Sequence, residues 1–230
     1  MLNWLLLLFK PLFLWITDGN WRAYHWLLIR FGDIKDQETQ IVYARSFRLE
    51  VNQMQAFLSR FKLFFVYRLL LFKRRAGIQP IIVDLAAGEG LGPAFFSEAY
   101  PDSKVYCWEA DPSQRDLLIR NMDSTRYKPV EVLSAATIHE VMDQVKGLEI
   151  KSFDLLKTKA EDLGLISENQ LRKFRHLFVH CTTVDQMATI LQRLKAEGFD
   201  CQVVSEGSMD RPFLQEGTNA AYLVLASPST

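Results

Sequence analysis

Apolar residues follow two rhythms along this chain. From residue 80 onward, short continuous runs rich in Val, Ile, Leu and aromatic side chains alternate with longer stretches whose apolar positions fall three and four apart. Ile81-Ile82-Val83-Asp84 reads as a buried strand, and from Pro93 the spacing of Ala94, Phe95, Phe96, Ala99 and Tyr100 becomes helical. Lys104 to Glu109 predicts a second strand. Asp111-Pro112-Ser113 opens a helix that ends near Asn121, with Ser113 as its expected cap. Further strands are predicted over Val130–Ala136, Ser152–Thr158, His176–Thr182, Asp200–Ser205 and Ala220–Ala226, with helices over 138–147 and Val184–Glu197. A Gly-Ser-Asp-Pro-rich stretch, 206–219, joins the last two strands. Such alternation implies right-handed crossovers, a mostly parallel sheet of seven strands with helices on both faces, and ligands at the carboxyl ends of the strands.

The first 79 residues are patterned differently. Leu2 to Ile16 is almost wholly apolar, but Lys10-Pro11 divides it into runs shorter than the roughly 20 residues of a spanning helix. It lacks the basic start and small-residue cleavage site of a secretory signal. Two readings stay open: an interfacial helix with Trp4 and Trp15 at headgroup level, or a helix packed on a partner subunit or on the helix expected over 50–75. Asp18-Gly19-Asn20 marks a turn before a helix from Trp21 to Phe31, ended by Gly32. Residues 40–49 alternate weakly, with Ile41 and Tyr43 in phase, as in a strand or an irregular arm. From Val51 to Arg75 the spacing of Met54, Phe57, Leu58, Phe61, Phe64, Phe65, Leu69 and Phe72 predicts one long helix, closed by Lys73-Arg74-Arg75.

Composition sharpens this division. With 230 residues, 49% of them apolar, the chain can bury the core of one α/β domain with elements to spare. Its formal net charge of zero conceals 12 Lys and Arg against 5 acids in residues 1–79, and 15 against 22 in the remainder. Residues 1–79 also hold 16 of the 28 aromatic side chains. The expected organisation is therefore a hydrophobic, basic helical region over 1–79, acting as a lid, a dimer surface or a membrane-surface element, and a nucleotide-binding domain over 80–230. Basic and aromatic residues interleave in the first region, yet it is too apolar for a solvated nucleic-acid groove, so no nucleic-acid partner is expected. Three cysteines without metal-ligand spacing argue for reduced thiols in a cytoplasmic compartment and for no metal site.

The candidate chemistry lies where the first of these strands ends. Asp84-Leu85-Ala86-Ala87-Gly88-Glu89-Gly90-Leu91-Gly92 brings backbone close to a ligand, because glycine lacks the Cβ that would hold it off and tolerates positive φ. A dinucleotide fingerprint wants G-x-G-x-x-G here, and the third glycine is out of register. Asp84 ends the first strand and Glu109, 25 residues on, ends the second. Acid, G-x-G turn, acid is the layout of S-adenosylmethionine-dependent methyltransferases, with Glu109 accepting the ribose hydroxyls. An NAD-dependent enzyme is the alternative nucleotide chemistry.

Within that layout, Val83 to Met122 resembles the FkbM family of methyltransferases. The resemblance rests on Val83-Asp84-Leu85-Ala86-Ala87-Gly88-Glu89-Gly90, on Trp108-Glu109-Ala110-Asp111-Pro112 and on the leucine-rich helix ending in Asn121, and it continues more weakly through Phe153-Asp154-Leu155-Leu156-Lys157 and His176 to His180. It implies a Rossmann-like class I methyltransferase fold, S-adenosylmethionine as cofactor, and methylation of an oxygen on a sugar, glycan or other small hydroxylated acceptor. The implied cofactor contacts are Asp84, Ala86, Gly88, Glu89, Gly90, Glu109, Ala110, Asp111 and, beside the adenine, Ala135. Departures are Ala86 for the first turn glycine, Gly88 for an asparagine, Lys159 for an aspartate and His180 for a glutamate. The departures at Lys159 and His180 favour a second reading, a catalytically degenerate binding or scaffold protein. For an enzyme, the candidate bases are His180 and then Glu161, with His139 third; a general base on a hydroxyl contributes about 10²–10⁴-fold.

Overall fold

The computed structural model of the chain describes residues 18–34, 38–123, 130–205 and 222–228. The apolar stretch Leu2 to Ile16 and the 206–219 connection lie outside the described residues. The first described elements are α1 (Gly19–Phe31), a hairpin of β1 (Gln40–Ala44) and β2 (Phe47–Val51), and α2 (Met54–Phe61), which runs into a single π-helical turn over Lys62–Val66. Next come β3 (Ile81–Asp84), α3 (Leu91–Ala99), β4 (Lys104–Cys107), α4 (Pro112–Met122), β5 (Val130–Val132) and α5 (Ile138–Gly147). The chain continues through β6 (Phe153–Lys159), the one-turn helices α6 (Ala160–Leu163) and α7 (Glu168–Leu171), β7 (Phe174–Cys181), α8 (Val184–Ala196), β8 (Phe199–Ser205) and β9 (Tyr222–Pro228).

Seven strands form one sheet in the order β5-β4-β3-β6-β7-β9-β8. Pairings from β5 through β7 are parallel, and β9 runs antiparallel to both its neighbours. The order reverses between β3 and β6, so the crevice at their carboxyl ends is where such a sheet receives a ligand. Successive residues feed opposite layers. Ile82, Val105, Leu155 and Phe178 join the core under α1, the hairpin and α2 to α4, while Val83, Tyr106, Leu156 and Val179 join the core under α5 and α8. Residues from both sides of position 79 thus share one of these cores. Among the described residues, no helix is long and apolar enough to cross a membrane.

Four expectations need correction. The long helix over 51–75 is cut short: Val51 belongs to β2, α2 gives way to the π turn, and Arg68 takes a φ of 56°. Phe72 is drawn off any helical path by Tyr100, whose hydroxyl donates to the Phe72 carbonyl and accepts its N–H, with the two rings stacked 4.5 Å apart. The hairpin has the opposite phase to the one read from Ile41 and Tyr43, which are exposed, while Val42, Ala44, Phe47, Leu49 and Val51 are buried. Asp111, not Ser113, caps α4: its carboxylate accepts the Gln114 N–H and the Ser113 hydroxyl donates to it. The third predicted strand covers only Val130–Val132, because beyond it the Ala135 carbonyl turns to the Trp108 indole and Arg115, leaving the ladder.

Candidate functional site

The turn after β3 is tied to both neighbouring strands. Leu85 N–H donates to the Lys157 carbonyl and Ala87 N–H to the Trp108 carbonyl, so the chain leaves the sheet straddling its centre. Gly88 and Gly90 have φ of 56° and 104°, the left-handed region a side chain rarely adopts. Gly90 also starts α3 without a side-chain cap, which leaves the Leu91 and Gly92 N–H groups without an intrahelical partner. A Cβ on Gly92 would land on Asp84 Oδ2, so glycine there lets α3 lie against the acid.

Asp84 is fully buried beneath this turn. Its Oδ1 accepts from Lys157 Nζ at 2.8 Å and from the Ala86 N–H, while Oδ2 is buried without a hydrogen-bond partner among the described residues. Lys157 Nζ also donates to the Ala86 carbonyl. Burial raises the Asp84 pKa, and the Lys157 ammonium opposes that rise. Asp84 and Lys157 are register partners across β3 and β6, which explains the pairing.

Glu109 follows β4 and is only 2% exposed. Its carboxylate accepts the Gly88 N–H at 2.8 Å and the Asp111 N–H at 3.1 Å, linking the glycine turn to the start of α4. Lys159 Nζ lies 3.3 Å from Glu109 Oε1. Glu89, in the turn itself, is buried against Arg60 Nη2 at 2.6 Å. Arg60 comes from the end of α2, and its guanidinium stands over Gly88, where a Cβ would meet Nη1 at 2.9 Å.

On the other side of the turn opens a cavity of about 350 Å³, lined by residues of α2, the π turn, Ala86 and the ends of β6, β7 and β9. Register brings Lys159, His180 and Leu223 side by side there. His180 is held down at about 4 by burial and then by Lys157, Arg60 and Lys159, so it is neutral at pH 7. Among the described residues no cluster is suited to hold a metal ion. Cys107, Cys181 and Cys201 are free thiols, and burial raises Cys181 to about 11.

The predicted site residues therefore divide. Ala86, Gly88, Glu89, Gly90 and Glu109 converge on the turn, with Asp84 under it and His180 across the cavity. Ala110 and Asp111 are exposed and outside the cavity wall, and Ala135 lines a separate cleft of about 520 Å³ beyond β5. Glu161 lies outside the cavity wall, exposed on α6 and accepting from Gln186. His139 is exposed on α5. Sequence reasoning passed over Arg60, because its helix carried no motif, and took Lys157 only as a strand residue. The available signal for Lys157 was a cation two positions before Lys159 in a strand otherwise buried.

A sheet of this order, with a reversed strand inserted next to its edge and a glycine turn at its switch point, is the class I methyltransferase fold. The chain is similar to the methyltransferase domain of METTL16, at 12% identity, over 91% of this chain and 79% of that one, with a TM-score of 0.58. It is also similar to the N-terminal domain of human METTL16 in complex with S-adenosylhomocysteine, at 11% identity, over 91% and 81% of the two chains, TM-score 0.53. The human methyltransferase 10 domain containing protein is a third such structure, at 11% identity, over 91% and 96%, TM-score 0.51. No protein-family model and no curated protein sequence matches the chain.

Proposed function

We propose that this protein is an S-adenosylmethionine-dependent methyltransferase that transfers a methyl group to an oxygen of a small acceptor seated in the cavity beside Ala86. The observation that carries this reading is Glu109: a buried carboxylate at the end of β4, one hydrogen bond from the glycine turn, at the switch point of a methyltransferase sheet. The residues fit the cofactor. Gly88 and Gly90 keep Cβ atoms off the turn, the start of α3 offers uncapped N–H groups, and Glu109, once Lys159 gives way, has one acceptor site on each oxygen for the two ribose hydroxyls, at about 1.5–3 kcal/mol for bonds to a charged group. When bound, the cofactor supplies an electrophilic methyl group on a sulfonium. The protein's part is chiefly alignment, for which effective molarities reach about 10⁵ M or more. Asp84 and Lys157 hold the turn from below, and neutral His180 faces the acceptor. The FkbM resemblance supports oxygen as the nucleophile.

Lys159 on Glu109 and Arg60 over Gly88 favour one second reading, a binding module of the same fold without turnover. Incubation with methyl-labelled S-adenosylmethionine and a panel of small oxygen acceptors separates the two. Label transferred to an acceptor and lost on Glu109→Ala supports the enzyme; S-adenosylhomocysteine binding with no transfer to any acceptor supports the module.

A further inference from the structure

The cavity beside Ala86 has a lopsided chemistry. Among the described residues its wall includes three cations, Arg60, Lys157 and Lys159, and no carboxylate. The acids that balance them sit behind: Glu89, Asp84 and Glu109 have side chains 1%, 0% and 3% exposed. Arg60 and Lys159 are instead 30% and 42% exposed. Donors are also left over. An ammonium has three N–H groups, of which Lys159 spends one on Glu109, and Arg60 Nε is buried with no partner among the described residues. The rest of the wall is largely apolar, with Leu63, Phe64, Phe178 and Leu223 prominent beside Ser59, Thr158 and His180.

We propose that this cavity is the acceptor site for an organic acid, a carboxylate on a compact apolar body, with the carboxylate held by Arg60 and Lys159 and the body laid against Phe64 and Phe178. Calling the occupant the acceptor rests on the methyltransferase reading; the site itself does not. A neutral sugar would make no ion pair with Arg60 or Lys159 and would lay most of its hydroxyls against a largely apolar wall. A carboxylate gains charge-assisted bonds to Arg60 and Lys159 in a partly dry cavity, where such bonds are about twice as strong as neutral ones. About 350 Å³ falls at the small end of ligand pockets and suits one ring with a short side arm. His180 points the same way. Held at about 4, it accepts a proton poorly from a neutral hydroxyl, whereas a carboxylate oxygen has no proton to give up.

Calorimetric titration with phenylacetate, phenylacetamide, phenyl phosphate and glucose tests this on the full chain. Wild type should bind phenylacetate at least about ten times more tightly than the amide, a charge-assisted difference. Lys159→Gln should remove that preference and Lys159→Arg should keep most of it, with melting curves confirming that both are folded. The proposal is overturned if amide or glucose binds as well as the acid, if phenyl phosphate alone binds, or if Lys159→Gln leaves the preference intact. A parallel titration with S-adenosylhomocysteine keeps the two readings apart. Acid binding without homocysteine-nucleoside binding upholds the site and rejects the methyltransferase; the reverse rejects the acid site alone.

Discussion

Lys157 offers the sharpest test of how the turn is supported. Its side chain is 6% exposed and that of Asp84 is 0% exposed, with 2.8 Å between Nζ and Oδ1. Lys157→Ala leaves the backbone bond from Leu85 N–H to the residue 157 carbonyl in place but strands a buried carboxylate and the Ala86 carbonyl. Breaking a buried pair from one side costs about 3–5 kcal/mol. For a chain of this size that lowers Tm by about 6–20 °C. The loss should depend on pH, with a sign that follows from burial. Burial already raises Asp84, and without the opposing ammonium its native-state value rises further. The native carboxyl then keeps a proton that the unfolded chain releases above about 3.9, so the variant loses stability as pH rises through that value. The gap between wild type and variant should accordingly be widest at pH 7 and narrow near pH 4.5. Urea unfolding at the two pH values measures it. The double variant Asp84→Leu, Lys157→Met should recover much of the loss, because no buried charge remains. A loss below about 1 kcal/mol at pH 7, or one equal at both pH values, would refute the reasoning.

Three further outcomes are expected. His180 is depressed to about 4 in the folded chain against about 6.5 unfolded, so the unfolded state binds the extra proton; its contribution is intact above 6.5 and is lost as pH falls toward 4. Allowing for partial exposure, wild type should lose about 1–3 kcal/mol over that window that His180→Gln does not, and parallel pH–stability curves for the two would count against it. Gly90→Ala forces a side chain into a φ of 104° with its Cβ 2.7 Å from Met122 Cε, and should cost about 1–3 kcal/mol in urea unfolding, whereas Gly147→Ala, with open space around it, should not. Asn121 joins the Glu50 N–H and carbonyl in the hairpin to the Glu89 carbonyl in the turn, so Asn121→Ala should cost about 2–4 kcal/mol through orphaned backbone groups, read by the same assay.

The centre of the sheet was legible because β3 and β6 are buried on both faces. Ile81 to Asp84 and Phe153 to Lys157 are apolar runs that no other element explains, and both appear in the structure nearly where the pattern puts them. The glycine turn was legible for a local reason: Gly88 and Gly90 take the left-handed conformations that glycine alone adopts freely. Helix 138–147 was equally plain, with Thr137 accepting the Glu140 N–H at its start.

What was not legible depends on contacts distant in sequence. Phe57 to Phe72 keeps helical spacing to the end, yet Tyr100, 28 residues on, holds Phe72 outside the helix. The hairpin hides its phase because its buried face carries Val42 and Ala44 while Tyr43 points outward, so size and hydrophobicity misdirect the reading. Arg60 and Lys159 reach the site only through folding: one from α2 to Glu89, the other across two strands to Glu109. Read in sequence, Lys159 was a departure from a motif; in the structure it lies on the carboxylate proposed to hold the ribose.

That carboxylate is where the account is most exposed to test. Thermal melting of wild type and Glu109→Ala with S-adenosylhomocysteine, followed by calorimetric titration, addresses it directly. At 100 times Kd a ligand stabilises by about 2.7 kcal/mol, about 5–10 °C for a chain of this size. The account predicts such a rise for wild type and an affinity at least about tenfold weaker for the variant. A wild-type melting temperature that does not move at millimolar S-adenosylhomocysteine, or equal affinities for the two proteins, would contradict it.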